Sequence, residues 1–189
     1  MKQLISTIGL ILFLGWSAAG QVNPPKFLCV TNDTLRWELP VNTCGPFNAY
    51  LVFASQQPNG PFSLLATIAN PMQDRFFHQN AGSGIWYYYL ESDFNCPGQP
   101  VLQSDTLDNR NPEPPVLESV SVSGDDVEVS WQPSHSPEVV GYVISRNVPG
   151  QGTTILDTVL GDNAFLDTQA SPGSRSETFF VEAIDACGN

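Results

Sequence analysis

The sequence predicts an all-β protein of two tandem antiparallel sandwiches, the second lacking its last strand. Three observations carry this. Apolar and polar residues alternate over short stretches such as "DTLRWELP" (33–40) and "DDVEVSWQP" (125–133), and period two marks a strand with one face buried. The same series of stretches then occurs twice in the same order, which is how a repeated unit shows itself. Between the stretches stand Gly, Pro and Asn turns, and no helical period is present.

The chain opens on Lys2, an apolar run from Leu4 to Leu14, and the small residues Ala18, Ala19 and Gly20. That is the pattern of a secretory signal peptide, residues 1–20, cut after Gly20. The run is too short to span a bilayer, which takes about 20 apolar residues. No later stretch is long enough, so the mature chain is expected to be exported, secreted or held at the cell surface, without membrane insertion.

The charge is lopsided, with 19 acidic residues against 7 basic ones and a net charge of −12. Nucleic acid needs a basic face, and so does anionic lipid; neither is an expected partner. Four cysteines in an exported chain point to disulfides. Cys29, Cys44, Cys96 and Cys187 contain no C-x-x-C spacing, so zinc and dithiol redox chemistry do not fit.

The repeat aligns segment by segment. Leu35, Trp37 and Leu39 share one face of the first stretch, as Val127, Val129 and Trp131 do in the second copy. "FNAYLVFAS" (47–55) matches "VVGYVISRN" (139–147), with Tyr50 against Tyr142. "LLATIAN" (64–70) matches "ILDTVLGDN" (155–163). "WYYYLESDFNCPG" (86–98) matches "TFFVEAIDACGN" (178–189), with Cys96 against Cys187 and nearly equal tryptophan-to-cysteine spacing. The prolines of "DNRNPEPP" (108–115) cannot donate to a ladder and favour an extended path. The organisation is therefore a first module at 22–109, a stiff linker at 110–115, and a second module at 116–189. "PVLQSDTLDN" supplies a last strand after Cys96, while nothing comparable follows Cys187. The chain is on that ground expected to continue into further domains, its sixth-strand edge otherwise open.

Catalytic chemistry finds no purchase. The two histidines, His78 and His135, lack a partner at ligand spacing, and neither G-x-S-x-G nor H-E-x-x-H occurs. Asp125 and Asp126 stand together in "GDD", but neighbours in a tight turn point apart and serve the turn rather than paired-carboxylate hydrolysis. The calcium-loop pattern is missing too. No catalytic residue, metal ligand or cofactor is expected.

A tryptophan on the second strand, a tyrosine on the third and an aromatic-x-aliphatic run on the sixth resemble fibronectin type III modules, which share the immunoglobulin-like sandwich. The wording "TCGPFNAYLVFAS", "GPFSLLATIAN", "WYYYLESDFNCPG" and "VSWQPSHSPEVVGYVI" is similar to paired modules in large secreted gliding-motility-associated proteins of the Bacteroidota, exported by the type IX route. The C-terminal sorting domain usual in that group is not in this sequence. The resemblance implies a non-catalytic binding or spacer function, adhesin-like, toward an unknown protein or surface glycan. The alternative is a set of accessory N-terminal modules of a secreted hydrolase.

The fold so implied sorts the aromatic run. Trp86, Tyr88 and Leu90 face inward, with Tyr88 placed as a tyrosine corner whose hydroxyl bonds to backbone; Phe179 in the second copy lacks that hydroxyl. Third and sixth strands are neighbours in this fold, so Leu51, Phe53, Tyr87 and Tyr89 form one outward strip. That strip is either a stiffening of the sheet, a face covered by a neighbouring domain, or a partner-binding surface. Cys44 and Cys96 lie in loops that emerge at the same end, which implies a disulfide between them. Cys29 is its rival for Cys96, or else a buried thiol, and Cys187 is expected to be free within this chain. "DTL" (33–35), "DTL" (105–107) and "DTV" (157–159) resemble the O-glycan acceptor sequence of the same bacteria, with Thr34, Thr106 and Thr158 as acceptors.

Overall fold

The computed structural model describes residues 22–42 and 44–189; the expected signal peptide lies outside them. The first module holds β1 (Lys26–Thr31), β2 (Thr34–Glu38), β3 (Phe47–Ser55), β4 (Ser63–Ile68), β5 (Arg75–Phe77), β6 (Tyr87–Phe94) and β7 (Leu107–Asp108). The second holds β8 (Val116–Ser123), β9 (Asp126–Gln132), β10 (Val139–Val148), β11 (Gly152–Val159), β12 (Ala164–Asp167) and β13 (Thr178–Asp185). No helix occurs among the described residues. The first module packs sheet β1-β2-β5 on sheet β4-β3-β6-β7, and the second packs β12-β9-β8 on β11-β10-β13. The fold is thus two tandem fibronectin type III-like sandwiches, and among the described residues no strand pairs with β13 as β7 pairs with β6.

Alternation sets which residues are inside. Leu35 and Trp37 of β2 are buried while Arg36 and Glu38 are exposed. Val127, Val129 and Trp131 of β9 repeat the pattern. The two cores share a centrepiece: Trp37 meets Tyr50 edge-on at 5.9 Å, and Trp131 meets Tyr142 edge-on at 5.3 Å. Such aromatic pairs add roughly 0.5–1.5 kcal/mol beyond the area they bury.

Turn chemistry fixes the registers. Thr31 opposes Thr34 across a two-residue loop, Asn32-Asp33, both at positive φ. That is the twist a tight hairpin needs, and Asn and Asp accept it more readily than most residues. In the second module Ser123 opposes Asp126 across Gly124-Asp125. Asp125 is therefore a turn residue, whereas Asp126 already belongs to β9.

Strand parity decides what meets at the joint. All ladders within the sheets are antiparallel. β7 must run toward the linker, so β1, β3 and β5 do as well, and the turn after β1 sits at the joint. β8 runs away from the joint, and β13, five reversals later, runs back to it. The turn carrying Cys187 therefore faces the first module.

A disulfide joins Cys29 to Cys187 with Cα atoms 6.2 Å apart. This corrects two expectations, that Cys29 is a buried thiol and that Cys187 is free. Cys29 is indeed fully buried, but its sulfur reaches across the joint to the other module. The second disulfide joins Cys44 to Cys96, Cα atoms 5.6 Å apart, at the far end of the first module. Gly45 beside it has φ +58, and a Cβ there would collide with the Asn95 carbonyl. Only glycine lets these two loops close on each other.

Candidate interaction face and intermodule joint

The outward strip occupies one face of β3 and β6. Leu51, Phe53, Tyr87 and Tyr89 are each half-buried, and their neighbours Val52, Tyr88 and Leu90 are wholly buried. Phe53 lies directly opposite Tyr89 in the ladder. Their rings stack at 4.7 Å with 13° between planes, and Phe62 caps Tyr89 edge-on at 5.0 Å. Phe62 escaped the sequence reading because it precedes β4 rather than alternating within a strand; its place in "NGPFS" is the one hint that a turn delivers it to the sheet.

The strip is not uniformly apolar. Leu51 opposes Glu91, and Tyr87 opposes Ser55 on one side and Asp108 on the other. Burial and the Glu91 carboxylate both push the Tyr89 hydroxyl above its ordinary range, so it remains a hydrogen-bond donor at any ordinary pH. The face thus offers a stacked aromatic platform with a donor on it and a carboxylate at its edge. Phe180 and Glu182 in the second module stand on the same outward face of β13, opposite Ser145 and Val143, and form no ring stack.

At its other end the strip runs into the joint. Tyr87 lines a cavity of about 280 Å³ with Thr106, Arg110, Glu113, His135 and Glu138. Arg110 is paired to Asp108 through Nε at 2.9 Å. Ser134 donates through Oγ to the Glu113 carbonyl at 2.7 Å, and Ser136 Oγ accepts from the Glu113 amide at 2.9 Å. The linker is therefore held against the β9–β10 turn rather than hanging free. Burial raises the Glu138 carboxyl above its usual range, with repulsion from Asp108 and Asp185 adding to it. On the opposite side of the joint Asn189 Nδ2 donates to Thr31 Oγ1. The Asn189–Thr31 bond and a disulfide thus span the two modules, while the linker itself is fastened to the second.

Tyr88 departs from the expected corner. Its hydroxyl lies 2.9 Å from His78 Nδ1, a side chain and not a backbone group. The turn after β5 explains this: the Ala81 amide bonds to the His78 carbonyl, and the His78 amide to the Asp33 carbonyl. That turn folds the imidazole under β6, where Trp86 packs edge-on to it at 4.9 Å. Both His78 and Tyr88 are buried.

Burial lowers the His78 proton affinity below the ordinary value of 6.5, and the Asp33 carboxylate opposes this in part. As pH falls the unfolded chain binds that proton first, so stability is full above about pH 6.5 and declines below it. Thermal melts between pH 7.5 and 5 should show a loss that His78→Gln makes shallower. Identical pH profiles for the two proteins would contradict it.

The three candidate acceptor threonines are dispersed. Thr34 opens β2, half-buried, its Oγ1 donating to the Asn32 carbonyl at 3.4 Å. Thr106 is exposed just before β7, and Thr158 is exposed on β11, an edge strand. His135 is exposed on the rim of the joint cavity. Among the described residues no group of His, Cys, Asp and Glu is arranged to hold a metal ion.

No family model matches the chain, and no curated protein does. Among solved structures, the fibronectin FN1–FN3 domains of chicken CNTN1 align at a TM-score of 0.49 and 17% identity. That alignment covers 90% of this chain and 63% of the contactin fragment's length. At that level of likeness the fold rests on the strand order described above, and nothing of the contactin's own role carries over.

Proposed function

We propose that this chain is a non-catalytic binding and spacer element of a secreted or surface-attached protein, adhesin-like and of the gliding-motility-associated kind its wording resembles. The observation that carries the reading is the Cys29–Cys187 bridge across the joint. Two sandwiches tied at a linker and again through a disulfide hold a fixed spacing, which is what a spacer must do. Two disulfides also belong to an oxidising, extracytoplasmic compartment.

The binding part of the role falls to the Phe53–Tyr89–Phe62 platform, whose stacked rings and retained hydroxyl suit the flat face of a sugar or an extended peptide. Labelled protein is applied to a glycan array and to immobilised cell-surface proteins. Wild type should bind a subset, and Phe53→Ser with Tyr89→Ser should lose at least ten-fold in affinity while melting as a folded protein. Equal binding by the variant would return the rings to a purely stiffening role. No binding by wild type would leave the chain a spacer alone.

A further inference from the structure

The first module carries two arginines that its strand pairing does not require. Arg36 of β2 lies directly opposite Arg75 of β5, and both are exposed. Residues directly opposite in an antiparallel pair project to the same face, and like charges placed so destabilise a sheet. The second module makes the equivalent pairing without charge. There Trp131 stands where Trp37 does, and the pair beside it is Ser130 with Ala164.

Positive charge is otherwise scarce and spoken for. Arg110, Arg146 and Arg175 are each hydrogen-bonded to a carboxylate, that of Asp108, Asp167 and Glu177 respectively. Arg36 makes no ion pair among the described residues, and Arg75 has only its chain neighbour Asp74, Nε to Oδ1 at 3.5 Å with both side chains largely exposed. Glu38, on the same face of β2 as Arg36, is held by Lys26 at 3.2 Å. Phe77 shares the face of Arg75, about 7 Å further along β5, and is 57% exposed. Phe76 between them packs against the core. The outer face of this sheet thus presents two adjacent guanidinium groups beside a bare aromatic ring.

We propose that Arg36, Arg75 and Phe77 form a binding site for an acidic polysaccharide, one whose sugar rings carry carboxylates. A guanidinium presents its N–H donors in a planar fork that matches a carboxylate, and two such forks side by side hold one firmly. The exposed Phe77 ring offers an apolar surface to the adjoining sugar. An acidic peptide is the poorer occupant: strand addition would give it affinity, and β5 offers an edge of only three residues. The net charge of −12 repels a polyanion at long range, but salt screens that repulsion beyond about 8 Å at physiological ionic strength. The arginines act at contact. The site lies on the sheet opposite the Phe53–Tyr89 platform and does not depend on it.

The probe is an oligogalacturonate, titrated calorimetrically into the intact chain at physiological ionic strength, with its fully methyl-esterified form and poly-glutamate as comparisons. The acid should bind, and both comparisons should bind at least ten-fold more weakly. Arg36→Ser with Arg75→Ala, which copies the Ser130–Ala164 pair, should weaken the acid at least ten-fold while melting at or above the wild-type temperature. Phe53→Ser with Tyr89→Ser should bind it as wild type does. No binding at millimolar oligogalacturonate, or equal binding of the methyl ester, would overturn the proposal. Equal binding of poly-glutamate would also overturn it, by placing an acidic protein segment on the face. So would a double arginine variant that melts well below wild type, because the pair would then serve the fold.

Discussion

Trp37→Ala should unfold or nearly unfold the first module. The indole is 2% exposed, packs edge-on against Tyr50 and belongs to a core with Phe27, Leu35, Val52 and Leu90. Truncating a tryptophan in such a site costs about 3–5 kcal/mol, against a total of roughly 5–15 kcal/mol for a domain. Trp131→Ala should do the same to the second module through Tyr142. Calorimetry reads both. Each variant should melt well below wild type, with its own module losing structure first, and a Trp37→Ala protein melting like wild type would contradict the core assignment.

Removing the joint disulfide should uncouple the modules. Cys29 and Cys187 are 158 residues apart. On the chain-entropy account a bridge over that span is worth about 5 kcal/mol at most, since strain and residual structure reduce it. The variant Cys29→Ala with Cys187→Ser leaves no thiol to exchange with the Cys44–Cys96 pair. It should turn one coupled melting transition into two, and small-angle scattering should show a broader range of module separations. A single transition at the wild-type temperature would mean that the linker contacts, Arg110 with Asp108 on one side and Glu113 with Ser134 and Ser136 on the other, suffice to fix the joint.

Much of the fold was legible in residue order. Alternation located β2, β3, β6, β9, β10 and β13, because a sandwich strand has one wet face and one dry face, and the repeat located the cores by setting Trp37 and Tyr50 against Trp131 and Tyr142. Short strands carried too little pattern: β5 has three residues and β12 four. The Tyr88–His78 contact was out of reach for a different reason, since a turn's path and not its periodicity brings the imidazole under β6. The Cys29–Cys187 bridge is not visible within either module taken by itself, because the loops of the second module offer Cys187 no cysteine partner. Counting strand reversals places both the β1–β2 turn and the turn after β13 at the joint, and that count needs nothing beyond the strand order. The candidate face was half legible. Phe53 and Tyr89 follow from alternation, but Phe62 and the Glu91 edge follow from register, which single-strand patterns do not set.

The account rests on two modules fastened to each other, and peptide mapping of the non-reduced protein tests that most directly. Digestion should release one linked pair containing Cys29 and Cys187 and a second containing Cys44 and Cys96, with no alkylatable thiol before reduction. A peptide joining Cys29 to Cys96, or a Cys187 that alkylates freely, would break the clamp and with it the fixed-spacing role.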